Sequence, residues 1–397
     1  MPTIAGLRGT GSFGVDERPK NFREMILWMN PNGRSPLFAL MAKMKKETTD
    51  DPEFAWWEEG LDIVRSETDG EHLAGATTIT LASGGNKLVP GDILQVELDV
   101  EDYSNVELLR VTAVNSDTEI EVDRGVAGST AATIDTGSFL QRIGSVDREG
   151  GISPETVSRN PIKLRNFTQI FKTAFQVSNT AIATRYRTGD VLANERKRKS
   201  FDHSEKIEQS LLWGKAHESV IDGQPARYTG GLRQFLTTNN HVYTSNPTEA
   251  LFLEQLSALF DREADGAGNE RIAMCGNGFL NTMNHLARSE SSTRINFNGV
   301  LETYGMRLLH YTIPQGELYL HTHPLMNVHP VYRYSAFIIT PPGLVWRPLR
   351  GRDTSVEENI QPKDADFRKD QWLTEGGLEV HHESTMAYFG GFHLDHE

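Results

Sequence analysis

Hydrophobic and polar positions change their period several times along this chain. Between Asn21 and Met29, Phe22, Met25, Ile26 and Met29 recur at helical spacing, and Asn30-Pro31-Asn32-Gly33 stops the run. A second short helix is predicted next, with Ser35 as N-cap, Pro36 at the first helical position and Leu37, Leu40, Met41 and Met44 as its apolar positions. Lys45 and Lys46 suit the negative end of its dipole. Neither helix, nor the acidic strand-like stretch through Trp56 and Trp57, can bury its own apolar face. The region reads as an arm that packs on something else.

From about Leu73 to Ile143 the period becomes two. Leu94, Val96, Leu98 and Val100 alternate with Gln95, Glu97 and Asp99, and Leu109, Val111 and Ala113 repeat the pattern. Turn chemistry separates the strands at Pro90-Gly91-Asp92, at Asn115-Ser116-Asp117 and at the Gly125–Gly128 loop after Ile120 and Val122. These features predict a compact antiparallel β module inserted between the arm and the main body, with a structural role.

Past a strand-rich stretch from Ile162 to Val177, Asp190 can cap a helix running to Trp213, about 36 Å long at 1.5 Å per residue. Gly214 is expected to end it as a left-handed C-cap. Glu195–Lys199, Arg198–Asp202 and Asp202–Lys206 fall at i,i+4, and apolar residues cluster at the two ends around a charged middle. Such a helix is expected to cross an open surface or to face neighbouring chains rather than to sit in a core.

The remainder alternates helix and strand. Asn246-Pro247-Thr248-Glu249 reads as a cap, a helix-starting proline and a reaching carboxylate ahead of Leu251, Leu253, Leu256, Leu259 and Phe260. A helix is predicted near Phe279–Leu286. Strands are predicted at Arg271–Cys275 and near Met306–Thr312, Leu318–Thr322, Ala336–Ile339 and Val345–Pro348. The class is α+β, with a late strand set returning to an earlier domain.

Composition narrows the function. The chain has 397 residues, a formal net charge of −14 and a single cysteine, Cys275, which excludes an internal disulfide framework, a four-cysteine zinc site and a CxxC redox motif. One cysteine suits a reducing cytoplasm. The N-terminus lacks a secretory pattern, and no apolar run approaches the roughly 20 residues of a membrane helix, so no membrane partner is expected. The acidity argues against a sequence-independent DNA binder, which needs a concentrated basic face. Between Glu47 and Glu71 ten carboxylates stand against one base, Arg65, and supply −9 of the charge. Two readings are open for that stretch: a solvated extended segment, or one that pairs with a basic surface on another subunit.

Catalytic signatures are sparse. Gly9-Thr10-Gly11-Ser12-Phe13-Gly14 matches GxGxxG without the strand and helix that dinucleotide binding requires. His321-Thr322-His323 has metal-ligand spacing on a strand and could recruit His329 or His310, but only Glu317 lies nearby and Pro324 breaks the strand. His381-His382 and His393 and His396 are weaker candidates. Cys275, between Met274 and Gly276, reads as a buried inert thiol. Arg196-Lys197-Arg198-Lys199 points around most of a helix with acids one turn away, which favours ion pairs within and between subunits over a nucleic-acid patch.

Ile26-Leu27-Trp28-Met29-Asn30-Pro31, Arg124-Gly125-Val126-Ala127-Gly128 and Glu205-Lys206-Ile207-Glu208-Gln209-Ser210-Leu211-Leu212-Trp213-Gly214, together with the order of elements, carry a resemblance. The chain resembles the major capsid protein of tailed bacteriophages, the Hong Kong 97-type fold. By that resemblance residues 1–66 are a flexible tail and N-terminal arm, and 67–165 an extended loop with the β module at about 73–143. Residues 166–222 are a peripheral domain with a spine helix at about 190–213, 223–347 an axial domain, and 348–397 the return strands of the peripheral domain. The resemblance implies self-assembly into hexamers and pentamers around double-stranded DNA, touched by weak local contacts. Further partners would be the portal and scaffolding or decoration proteins, in a virion assembled in the bacterial host cytoplasm. It implies no enzyme activity, no cofactor and no metal. Subunit contacts are then expected on the arm and loop base at Phe22, Met25, Trp28, Asp50, Asp51, Glu58 and Glu59. On the spine helix they are expected at Glu195, Arg196, Arg198, Lys199 and Asp202. The alternatives are a phage decoration or tail protein, or a metal-dependent β-barrel enzyme using His321 and His323.

Overall fold

The stretch of strict alternation, about Leu73–Ile143, falls inside the smaller of two units into which the chain divides, one comprising Met1–Trp56 with Leu164–Glu397 and the other Trp57–Lys163. The computed structural model describes residues 35–43, 45–60, 64–97, 106–150, 158, 160–262, 268–289, 295–303 and 306–394. Gly9–Gly14, the predicted first arm helix with Phe22, Met25 and Trp28, and Leu98 and Val100 lie outside the described residues.

In chain order the elements are α1 (Pro36–Lys43), β1 (Glu53–Glu58), β2 (Arg65–Glu67), β3 (Thr78–Thr80), β4 (Asp92–Val96), β5 (Leu108–Ser116), β6 (Glu119–Asp123) and β7 (Phe139–Ser145). Next come β8 (Ile162–Phe167), β9 (Gln169–Ser178), α2 (Asn179–Ala183), α3 (Val191–Trp213), β10 (His217–Ile221), β11 (Gln224–Tyr228), α4 (Leu232–Phe235), β12 (Asn240–Val242) and α5 (Glu249–Ser257). The last part holds β13 (Glu270–Cys275), α6 (Asn277–Ser289), β14 (Ile295–Thr303), β15 (Met306–Ile313), β16 (Gly316–Thr322), α7 (Pro324–Val328), β17 (Ala336–Ile339), β18 (Leu344–Pro348), β19 (Ser355–Glu357), β20 (Phe367–Val380) and β21 (Ala387–Gly390). The expected α+β class is what the structure shows.

The smaller unit is the expected antiparallel module, a six-stranded sheet in the order β2-β7-β4-β5-β6-β3. Alternation places Leu94 and Val96, Leu109 and Val111, and Ile120 and Val122 in one core with Ile79, Leu81, Ile134 and Leu140. Ala113 departs from its expected place. A register shift between Val111 and Ala113 makes Val114, opposite Ile120, the residue that packs on the core. The Pro90-Gly91-Asp92 turn forms around a positive φ of 101° at Gly91, and Asp92 Oδ2 accepts the Val89 N–H at 2.9 Å.

In the larger unit, a seven-stranded mixed sheet runs β12-β21-β17-β13-β16-β15-β14, parallel only at β12–β21 and β13–β16 among its pairings. A second sheet joins β18, β19 and β9 to the long strand β20, which pairs with β9 over ten residues, Phe367–Gly376 against Gln169–Ser178. The late strands thus divide: β20 returns to β9, while β21 joins the seven-stranded sheet between β12 and β17. One core gathers Leu37 and Leu40 of α1, Ile207, Leu211 and Leu212 of α3, and Met274, Phe337, Trp346 and Leu378 from the sheets. The other packs Phe252, Phe279, Tyr311, Phe389 and Phe392 around α5 and α6.

Three local expectations are corrected. The helix α1 packs on its own chain, where burying Leu37 and Leu40 contributes about 2 kcal/mol each. The cap of α5 is Thr248, whose hydroxyl accepts the Leu251 N–H, two residues past Asn246. Gly214 ends α3 with φ −58°, not left-handed; glycine is needed because a Cβ there would lie 2.4 Å from the carbonyl oxygens of both Ser210 and Thr229.

Candidate functional site

The long helix α3 organises the larger unit. Asp190 starts it by accepting the Leu192 and Ala193 N–H groups at 2.9 and 3.4 Å. Its two halves differ. The first half carries the charges, and the expected i,i+4 pairs are replaced by i,i+3 pairs, Glu195–Arg198 and Lys199–Asp202. Arg196 instead reaches out of the helix to Glu358 at 2.8 Å and Asp370 at 3.1 Å. Arg368 grips the same two acids, and the Asn359 N–H donates to Asp370 at 2.8 Å. Burial alone would push the Asp370 carboxyl up, but the Asn359 N–H and the Arg368 and Arg196 guanidiniums hold it below the usual carboxylate range.

The second half enters the core, contrary to the expectation of an open-surface helix. His203 bridges α3 to both neighbouring strands, with Nδ1 3.1 Å from Thr173 Oγ1 and Nε2 2.8 Å from Thr374 Oγ1. Burial, helped by Lys206 nearby, lowers this imidazole to about 4, so it is neutral at neutral pH.

One turn further, Glu208 is fully buried. Its carboxylate accepts the Leu37 N–H at 2.8 Å and the Phe38 N–H at 2.7 Å, two of the donors that the first turn of α1 leaves without helical partners. A carboxylate caps this helix from a residue 170 positions away rather than from Ser35. His323 completes the knot, donating from Nε2 to Glu208 Oε1 at 2.7 Å, while its buried Nδ1 has no partner among the described residues. That contact accounts for His323 without a metal, and no group of three metal-ligating side chains occurs among the described residues. Cys275 is buried, its Sγ donates to the His321 carbonyl at 3.4 Å, and burial pushes its thiol far up. The sulfur is inert.

The acidic stretch is more than a solvated segment. Glu47 pairs with Arg347 at 2.9 Å, Asp50 with Arg350 at 2.8 Å and Glu53 with Arg165 at 3.3 Å, while Asp51 accepts the Glu53 N–H at 2.8 Å. Parallel bridges from Lys46 to Trp346 and from Thr49 to Leu349 lay this segment beside β18. Glu59 is exposed.

An open groove of about 600 Å³ lies along the start of β9 and the end of α3, lined by Gln169, Lys172, Lys206, Gln209, Ser210 and Trp213 among others. In the smaller unit, the quoted Arg124–Gly128 phrase encloses a second buried carboxylate. Arg124 clasps Glu107 through Nε at 2.6 Å and Nη2 at 2.7 Å, and the Gly125 and Ala132 N–H groups donate to the same acid at 3.2 and 3.0 Å.

Sequence reasoning named Arg196, Arg198, Lys199 and Asp202 but missed Asp370, His203, Glu208 and Glu107. The one available signal was Glu208 itself, a lone acid between Ile207 and Leu211 on the apolar end of the helix.

A model of the SU10 major capsid protein family matches residues 5–392 of the chain. The major capsid protein of Pseudomonas phage PaMx41 is 25% identical over 366 residues, covering 90% of this chain and 85% of that protein. Among solved structures, the capsid of Myoviridae phage XM1 aligns at 9% identity over 96% of this chain and 99% of that chain, with a TM-score of 0.46. The capsid of the native GTA particle aligns at 6% identity over 96% and 97% of the two chains, also with a TM-score of 0.46.

Proposed function

The chain belongs to the SU10 major capsid protein family, and from that premise we propose how it builds a shell: its copies associate into hexamers and pentamers that close around packaged double-stranded DNA. It is a phage major capsid protein, a structural component of the virion shell. The observation that carries this is the family match across residues 5–392. That family is the shell protein itself, which sets the decoration and tail readings aside. The chain acts as a structural rather than a catalytic protein, a reading supported by the use of His323 as a buried hydrogen-bond donor to Glu208.

In this proposal residues 1–66 serve as tail and arm, 67–165 as the extended loop with its β module, 166–222 as the peripheral domain, 223–347 as the axial domain and 348–397 as the return strands. Phe22, Met25 and Trp28 give the arm apolar anchors on neighbouring copies. Asp50, Asp51, Glu58 and Glu59 meet bases there, and the ion pairs around Glu195, Arg196, Arg198, Lys199 and Asp202 stiffen a surface that neighbours touch. The in-chain partner of Asp50 is compatible with this role, because Asp50 and Arg350 are both largely exposed and surface pairs exchange partners at little cost. Assembly takes place in the host cytoplasm with portal, scaffolding or decoration proteins as partners. Contacts with DNA are weak and local, since a wall of net charge −14 has no strong hold on phosphates.

Electron microscopy of the purified chain tests the proposal. Uniform closed shells or hexameric and pentameric rings are expected; a monomer or trimer that persists under all assembly conditions would overturn it.

A further inference from the structure

The bases on α3 are unequally served. Arg196, Arg198 and Lys199 each hold a carboxylate of their own chain. Lys206 donates to the Thr173 hydroxyl at 3.3 Å, its one hydrogen bond among the described residues. Lys172, exposed on β9, has no carboxylate within ion-pair distance among the described residues, and neither does Lys206. These two ammonium groups come from different elements and line the same open groove. The same groove is lined by Gln169, Gln209 and Ser210, with Trp213 and half-exposed Ile170 as apolar surface. Trp213 is held in place by stacking on Tyr332 at 5.0 Å, and its buried Nε1 has no acceptor among the described residues. Two ammonium groups lining one groove make it attractive to an anion.

The same chain carries a complementary segment. Trp57 is 64% exposed, and from Glu58 to Glu71 six carboxylates stand against the single base Arg65. Glu59, Asp69 and Glu71 are exposed and in no ion pair among the described residues. An aromatic side chain followed by acids matches a groove with an apolar wall and two ammonium groups.

We propose that the groove between β9 and α3 is a carboxylate-binding site that receives the Trp57–Glu71 segment of a second copy of this chain. This rests on the self-assembly reading above and assigns it a receptor. Nucleic acid is the weaker occupant: two lysines with Asp202 and Glu205 on the same helix make a poor phosphate track, whereas an acidic peptide needs only a few directed contacts.

A fluorescently labelled peptide of residues 57–71, titrated against the full chain and followed by anisotropy, tests the site. Saturable binding is expected at low salt. It should weaken at least about tenfold in Lys172→Glu/Lys206→Glu and fall again as ionic strength rises. Both lysines are exposed, so the double variant should keep its melting temperature. In assembly, that variant should lose shells, and Glu58→Lys/Glu59→Lys added to it should restore them. Peptide binding that is absent, or unchanged in the lysine variant, would overturn the site while leaving the capsid reading intact. A DNA duplex that binds through both lysines while the peptide does not would assign the groove to nucleic acid and overturn the proposal as well. If the unaltered chain forms no shells yet binds the peptide through both lysines, the groove stands and the self-assembly reading is what has failed.

Discussion

Glu107 and Glu208 are both buried carboxylates, yet they are held in opposite ways. Glu107 is held locally: Arg124, 17 residues on, clasps it with two hydrogen bonds, and the Gly125 and Ala132 amides fill its remaining positions. Glu208 is held by residues 171 positions before it and 115 after it, and its partners are two backbone N–H groups and an imidazole. The first knot closes one loop of a β module. The second fastens α1, α3 and the residue just past the end of β16 in one place, so it forms only when the larger unit is assembled. A local knot stabilises a piece; a long-range knot reports that the pieces have met.

Breaking each knot should therefore be felt in different places. The largest effect is expected for Arg124→Ala, which breaks a buried ion pair by removing one partner, at a cost of about 3–5 kcal/mol. Hydrogen exchange should locate that loss within residues 57–163, with protection of α3 unchanged; a uniform loss across the chain would contradict the locality. Glu208→Ala leaves two backbone N–H groups and the His323 imidazole without their acceptor, and about 2–4 kcal/mol is expected. Here amides 37–40 should lose protection first. Retained protection of α1 in that variant would mean its apolar contacts alone dock it.

The smallest of the three effects is a pH dependence that belongs to the larger unit alone, through His203 between Thr173 and Thr374. The His203 imidazole is at about 4 when folded against 6.5 when free, so the unfolded chain binds the extra proton between these values. The stability it contributes is complete above pH 6.5 and is lost as pH falls toward 4, about 2 kcal/mol of it by pH 5. Chemical denaturation followed by probes in the larger unit should show this slope, and His203→Gln should flatten it. A slope unchanged in the variant would place the titrating group elsewhere.

Local features were readable from the chain. Asp190 caps α3, and the helix ends at Trp213, as the cap and turn residues indicated, because those signals act within a few residues. Alternation placed Leu94, Leu109 and Ile120 in the β module's core for the same reason. The misses share a cause. Val114 displaced Ala113 because a bulge depends on the partner strand. Gly214 was singled out correctly but for the wrong reason, since the close approach of Thr229 is invisible until the strands past α3 are in place. Arg196 was expected to pair along its helix or with a neighbour, and its acids came from residues 358 and 370 of its own chain.

The sequence by itself determined the α+β class, the long capped helix, the inserted β module and, through its resemblance, the capsid family. Helix and strand periodicity, capping and turn chemistry are set by neighbours along the chain. Only the tertiary structure decided which charges meet. An ion pair depends on separation in space, and Glu208 with Leu37, Arg196 with Asp370, and Asp50 with Arg350 are each brought together across more than about 150 residues by packing that no local pattern encodes.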